Sequence, residues 1–341
     1  MLCARLRTAP GRVPRCVRLL DDPLVGDDLH LALHICYGLH YDGFAGVDEA
    51  WEWEPSLLRL RAEVEGLFVA SLAAEAEDDG ASPGRSLDAS ATVALVRRLL
   101  SQPSGPSLSS FMADHGTMEQ LREFVVHRSI YQRKEADGHT WAIPRLRGRA
   151  KSALVALQAD EYGGGIPGQS HAELFATTMR MLDLDPAPGA HIDVVPGSTL
   201  ATDNLVSYFG LHRRWRGALV GHLAAFEMTS VLPMSRYAAA VRRILGSGAA
   251  AEFYDVHVTA DVVHEVMATD ELIVGLAESD PEALGDVPFG VAALVGAEGR
   301  FSAHLLNCWA NDTTSLRDGA TPTELSGDPI GQDASCELSL V

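Results

Sequence analysis

Apolar residues recur at three- to five-residue intervals through most of this chain and seldom alternate, which restricts it to helices packed on helices. Between Trp51 and Ala76 the pattern runs Leu57, Leu60, Val64, Leu67, Leu72; from about Asp28, Leu29, Leu33 and Cys36 share a face with His30 and His34 beside it. Segments near 116–138, 146–162, 170–183, 200–230, 235–245 and 250–268 are each long enough to cross a bundle. The breaker-rich runs 78–85 (DDGASPGR) and 101–110 (SQPSGPSLSS) read as loops around one more helix near 90–100. The best strand-like run, Ile192 to Val195, is short and is followed by Pro196. After about Ser279 the pattern thins. The expectation is an all-α fold in four parts: a loose leader (1–24), a helical extension (25–110), a main helical domain (111–320) and a disordered acidic tail (321–341).

Charge and cysteine usage remove several function classes. A net charge of -19 argues against nucleic acid and anionic membrane surfaces, which both favour a basic face. No apolar run approaches the roughly 20 residues of a membrane span. Met1 to Leu20 carries arginines without a continuous apolar stretch, so no secretory signal is expected. The five cysteines are scattered, with no Cys-x-x-Cys pair. That suits a reducing cytoplasm and argues against a thiolate zinc site.

Chemistry concentrates in Tyr254–His264. His257, Asp261 and His264 stand at i, i+4 and i+7, within about 60° of one another around a helix. Val258, Val262 and Val266 form an adjacent stripe expected to bury the same side. Two histidines and an aspartate on a buried face are costly unless something pairs with them. A core-histidine reading and a metal reading both fit this spacing alone. Three glutamates in other helical contexts widen the case. Glu227 follows a nearly continuous apolar run and Glu135 precedes Pro144. Glu161 stands just before the run Gly163 to Gly168, with His171 beyond it. A regular helix would hold Glu161 and His171 about 80° apart; the glycines predict an irregular, mobile link that lets both reach one metal.

With those residues in place, the chain resembles the haem-oxygenase-like di-iron oxidases, many of them described as iron-containing redox enzymes. The resemblance is carried by Lys134-Glu135-Ala136-Asp137, Asp160-Glu161-Tyr162-Gly163-Gly164, His171, Ala225-Phe226-Glu227 and the His257/Asp261/His264 triplet. It spans roughly residues 28–315. Seven positions match the family's seven-ligand version: Glu135, Glu161, His171, Glu227, His257, Asp261 and His264. It implies a bundle of about seven helices, two Fe(II) ions, and O2 as co-substrate. It also implies oxidation of a small organic molecule by N-oxygenation, desaturation or C–C cleavage. Independently, four carboxylates and three neutral imidazoles would balance the charge of two ferrous ions, and such ligands suit iron or manganese. The sequence holds no Glu-x-x-His pair, which separates it from ferritin-like di-iron proteins.

Other readings stay open. The same histidines could serve a haem- or cofactor-binding helical protein without di-iron chemistry, or a non-catalytic metal-binding partner. Gly163-Gly164-Gly165-Ile166-Pro167-Gly168 matches G-x-G-x-x-G formally, but it follows a helix and holds a proline, which disfavours a dinucleotide site. His30 and His34 read as structural. In His212-Arg213-Arg214-Trp215-Arg216, one of Arg213, Arg214 or Arg216 is a candidate for a substrate carboxylate. A small-molecule substrate and O2 are the expected partners, and a second copy of the chain is a candidate for a homodimer.

Overall fold

The computed structural model describes residues 2–14, 22–102 and 105–317, and among them there is no strand. In chain order the helices are α1 (Leu2–Leu6), α2 (Asp27–Gly38), α3 (Pro55–Asp78), α4 (Ala89–Ser101), α5 (Leu108–Asp114), α6 (Met118–Gln132), α7 (Glu135–Thr140) and α8 (Gly148–Glu161). There follow α9 (His171–Met181), α10 (Gly197–Leu211), α11 (Arg216–Thr229), α12 (Val231–Leu245), α13 (Glu252–Val266), α14 (Val274–Ser279), α15 (Pro281–Leu284) and α16 (Val287–Ala310). The tail, Cys16 and Cys336 lie outside the described residues. None of the helices is long and apolar enough to cross a membrane.

Local chemistry sets the helix ends. Thr117 and Gln120 form a reciprocal capping box that opens α6, and Ser170 with Glu173 does the same for α9. Pro55 opens α3, where its missing N–H costs nothing. The helix expected over 116–138 breaks at Arg133 and Lys134, so that α7 restarts on Glu135. The stretch expected over 200–230 is likewise two helices, because His212 is extended and a single 3-10 turn follows it. Ile192–Val194 forms a 3-10 turn, not a strand.

The chain does not thin after Ser279. It builds the 24-residue α16, whose small residues hid a close helix–helix contact. A Cβ on Gly217, Gly221 or Gly290 would stand only 1.8–2.0 Å from the carbonyl oxygens of Ala283, Val287 or Ala218. Main chain therefore meets main chain where α11 crosses α15 and α16, and this fixes the height of Glu227 on α11. One apolar core joins α2, α3 and α4 to α10, α11 and α16 through Leu29, Phe68, Val96, Phe209, Trp215 and Phe289. A second, around Phe124, Phe175, Tyr237, Phe253 and Trp309, joins α6, α9, α12, α13 and α16. Helices α6, α11 and α13, which bear or flank the candidate ligands, lie among these two cores.

Candidate metal centre

The structure brings all seven sequence-derived positions together, in two adjoining groups. Glu135, Glu161, His171 and His257 form one; Glu227, Asp261 and His264 form the other. Within each group the donor atoms lie within 4.8 Å of one another. Helix α7 supplies Glu135 from its first turn, and α8 supplies Glu161 from its last. Helix α9 supplies His171 from its first position, α11 supplies Glu227, and α13 supplies the triplet. The triplet faces inward at 4%, 2% and 1% exposure. The neighbouring valines do not share its side: Val262 and Val266 are 60% and 57% exposed. After Phe253 and Tyr254, which pack into the core, the inner face of α13 is given to polar groups and Val262 and Val266 to solvent, the reverse of an ordinary surface helix. Just beyond His264 the backbone passes into a π-helical stretch, Met267–Ile273, a distortion common at functional sites.

The link between Glu161 and His171 is bent, as the glycines predict, and turn hydrogen bonds run along it. Gly163, at φ +62°, presses so close to Gln169 that a Cβ would lie 2.4 Å from its carbonyl carbon. Turn hydrogen bonds run from Gly165 N to Tyr162 O, Ile166 N to Gly163 O and Gln169 N to Ile166 O. Glu173 accepts from the backbone N–H groups of Gly168 and Ser170. The glycines serve tight turns with positive φ. The result sets Glu161 Oε2 2.8 Å from His171 Nδ1.

Electrostatics make this cluster unstable by itself. Four carboxylates crowd together, and among the described residues no lysine or arginine pairs with any of them. Burial pushes Glu135 well above the usual carboxylate range, and the charges of Glu161, Asp261 and Glu227 add to it. Burial likewise carries Glu227 up to about 7. Burial works against a charge on His264, but Asp261, Glu227 and Asp160 outweigh it and carry the imidazole to about 11.

Several atoms are arranged as ligands without a partner. Glu161 Oε2 and His171 Nδ1 are buried and close, yet their angles do not form a hydrogen bond. His257 donates from Nδ1 to Phe253 O at 2.7 Å, so its Nε2 lone pair turns toward Glu135 and is left unsatisfied. A void of about 30 Å³ lies among Glu135, Glu161, Glu227, His257 and Asp261, with Tyr131 and His139 on its wall. Converging lone pairs, surplus negative charge and a small void between them fit metal cations. The buried His and Glu clusters suit iron, as oxygen and imidazole donors without thiolate do.

The surrounding residues hold this set in place. Asp160 accepts from His264 Nε2 at 3.0 Å, which leaves Nδ1 for a cation beside Glu227 and Asp261. Ser230, where α11 meets α12, donates to Asp261. Gln132, with its amide nitrogen toward Glu135, reaches both carboxylate oxygens at 2.8 and 2.9 Å. Lys134 is partly buried and pairs with Asp203 at 3.1 Å, which also meets His34 at 3.0 Å, so the start of α7 is anchored to α10 and α2. His34 is thus structural, as read from sequence, and His30 packs edge-on against Phe68. Asp160, Ser230 and Gln132 escaped the sequence reading, because contact between distant helices carries no local spacing; only Asp160 stood beside a recognised position. Asp160→Asn should weaken iron binding by about 10–100-fold with the fold unchanged, measured by competition with a chelator. Unaltered affinity would remove Asp160 from the site.

The three arginines do not join the cluster. Arg216 is held by Asp280 through Nε and a terminal nitrogen, at 2.5 and 2.9 Å, and Arg214 lies 4.3 Å over Trp215. Arg213 and Arg216 line a separate polar cavity with Arg145 and Arg147.

A family model described as iron-containing redox enzyme matches residues 122–299, just over half of the 341 residues. The comparison with curated proteins gives no match. The match runs from within α6 into α16 and takes in every one of the seven clustered residues, and the all-α, haem-oxygenase-like architecture expected from the sequence is the one observed. The chain belongs to the iron-containing redox enzyme family.

Proposed function

We propose that this protein is an O2-activating non-haem di-iron oxidase or oxygenase acting on a small organic substrate. One observation carries the reading: seven nitrogen and oxygen donors, six of them from buried residues and the seventh from partly buried Glu135, converge as two adjoining groups, of four and of three. One group could serve a single metal; two groups side by side suit a pair. Glu135, Glu161, His171 and His257 would hold one iron, and Glu227, Asp261 and His264 the other. Bound Fe(II) supplies the electrons that reduce O2.

The protein's own part is positional. Phe253 O fixes the tautomer of His257, Asp160 fixes that of His264, and Ser230 and Gln132 orient Asp261 and Glu135. Burial excludes bulk water, so that oxidising equivalents reach the substrate before they are lost. N-oxygenation, desaturation and C–C cleavage are all compatible with such a site, since fold and ligands do not choose among them. A haem-binding reading draws no support from the contacts, because each of the three histidines stands against a carboxylate. Rapid mixing of the Fe(II)-loaded protein with oxygenated buffer tests the proposal. A transient visible absorption band with O2 consumption is expected; neither appearing would contradict it.

A further inference from the structure

Beside the candidate metal centre lies a cavity of about 340 Å³, bounded by Glu135 and Ser230 at one end. At about 30 Å³ per water-sized group, it has room for roughly ten non-hydrogen atoms. Its walls are mainly apolar, and Phe124, Phe175, Phe226, Tyr237 and Tyr254 face it. Three lining residues carry formal charge: Glu135, Arg128 and Glu298.

Arg128 is already engaged. Its two terminal nitrogens donate to the two carboxylate oxygens of Glu298 at 2.8 and 2.6 Å, and its guanidinium lies 4.2 Å from the centre of the Phe301 ring. An incoming carboxylate would therefore have to displace Glu298 or lie buried without a free cation, and either is costly. Each Glu298 oxygen, by contrast, keeps a lone pair able to accept from a donor. Tyr237 and Tyr254 stand close enough to Arg128 to feel its charge. Tyr254 lines the cavity, and its buried hydroxyl has no hydrogen-bond partner. An unsatisfied buried hydroxyl beside a chamber can be satisfied by a polar ligand atom that reaches it. Aromatic faces and a carboxylate with spare lone pairs favour a cation with several N–H donors, and the orphaned hydroxyl offers one further acceptor.

We propose that this cavity is the substrate chamber and that it selects a protonated amine with a mainly apolar body of about ten non-hydrogen atoms. Its ammonium group donates to Glu298 and to the Tyr254 oxygen, while the body extends toward Glu135. Naming the ligand as substrate rests on the di-iron reading; its charge class rests on the cavity alone.

Anaerobic calorimetric titration of the full chain, with and without Fe(II), tests this using octylamine, 1-octanol and octanoate, which are matched in length. Octylamine should bind at least tenfold more tightly than octanoate, with octanol between. Tyr254→Phe should weaken octylamine several-fold. Glu298→Gln, which frees Arg128, should shift the preference toward octanoate. If that variant does not fold, the paired change Arg128→Met with Glu298→Met removes both charges. It should erase the difference between amine and carboxylate and leave octanol unchanged. Octanoate binding as tightly as octylamine, or octylamine binding indifferent to both Tyr254→Phe and removal of the charge pair, would overturn the proposal. Iron uptake without amine preference contradicts this inference alone; amine preference without iron uptake contradicts the di-iron reading alone.

Discussion

Replacing Asp261 with alanine is expected to reduce iron uptake from two ions per chain to at most one and to abolish O2 consumption. Asp261 is 2% exposed, lies 3.4 Å from His264 Nδ1 and accepts from Ser230. It is a donor in the three-membered group, and no other carboxylate is placed to replace it. Loss of a supporting residue costs metal affinity by about 10–100-fold, and loss of a ligand should exceed that range. The metal-free variant should nevertheless fold at least as well as the parent. The Asp261 charge helps to raise the pKa of both Glu135 and Glu227, so deleting it relieves repulsion among buried carboxylates, which offsets the loss of its contacts with Ser230 and His264. Metal analysis alongside thermal melting separates the two effects. Lost iron with an unchanged melting temperature is the expected pair of results; full iron uptake would remove Asp261 from the site.

The second large effect is structural. Gly221→Val should destabilise the protein by about 3 kcal/mol or more, because the first added carbon would stand 2.0 Å from Val287 O. The obstacle is main chain, so no side chain can rotate away to relieve it. At a chain length of 341 residues that corresponds to a fall in melting temperature of about 4 °C or more. Iron binding should weaken as well, since the same contact sets the position of Glu227. A melting temperature within a degree or two of the parent would mean that α11 and α16 separate more easily than their packing implies.

The seven clustered positions were legible because histidines and acids placed among apolar residues are unusual, and because the set matches a family pattern. The helices were legible from their apolar spacing, but their breaks were not. Lys134 ends one helix and starts another through its ion pair with Asp203, some seventy residues away, which no local signal announces. Helix α16 was overlooked because Gly290 and its alanines show little periodicity; they serve close backbone contact instead of an apolar stripe. Amphipathic spacing places the valines of α13 toward the core, yet Val262 and Val266 are exposed. Once polar side chains claim the inner face, the apolar residues must turn outward. Arg213, Arg214 and Arg216 were attractive as a cationic run, yet Asp280 and Trp215 already occupy two of them. The amine-selective chamber could not have been read in advance, because Arg128, Tyr254 and Glu298 come from three helices far apart in sequence.

On the di-iron proposal, two metals occupy the two adjoining groups of donors. Anaerobic titration with isotopically labelled Fe(II), followed by metal analysis and Mössbauer spectroscopy, tests it most directly. Two irons per chain, in two ferrous environments that differ because one has four protein donors and the other three, is the predicted result. Saturation at one iron per chain, or no tight binding at all, would contradict it.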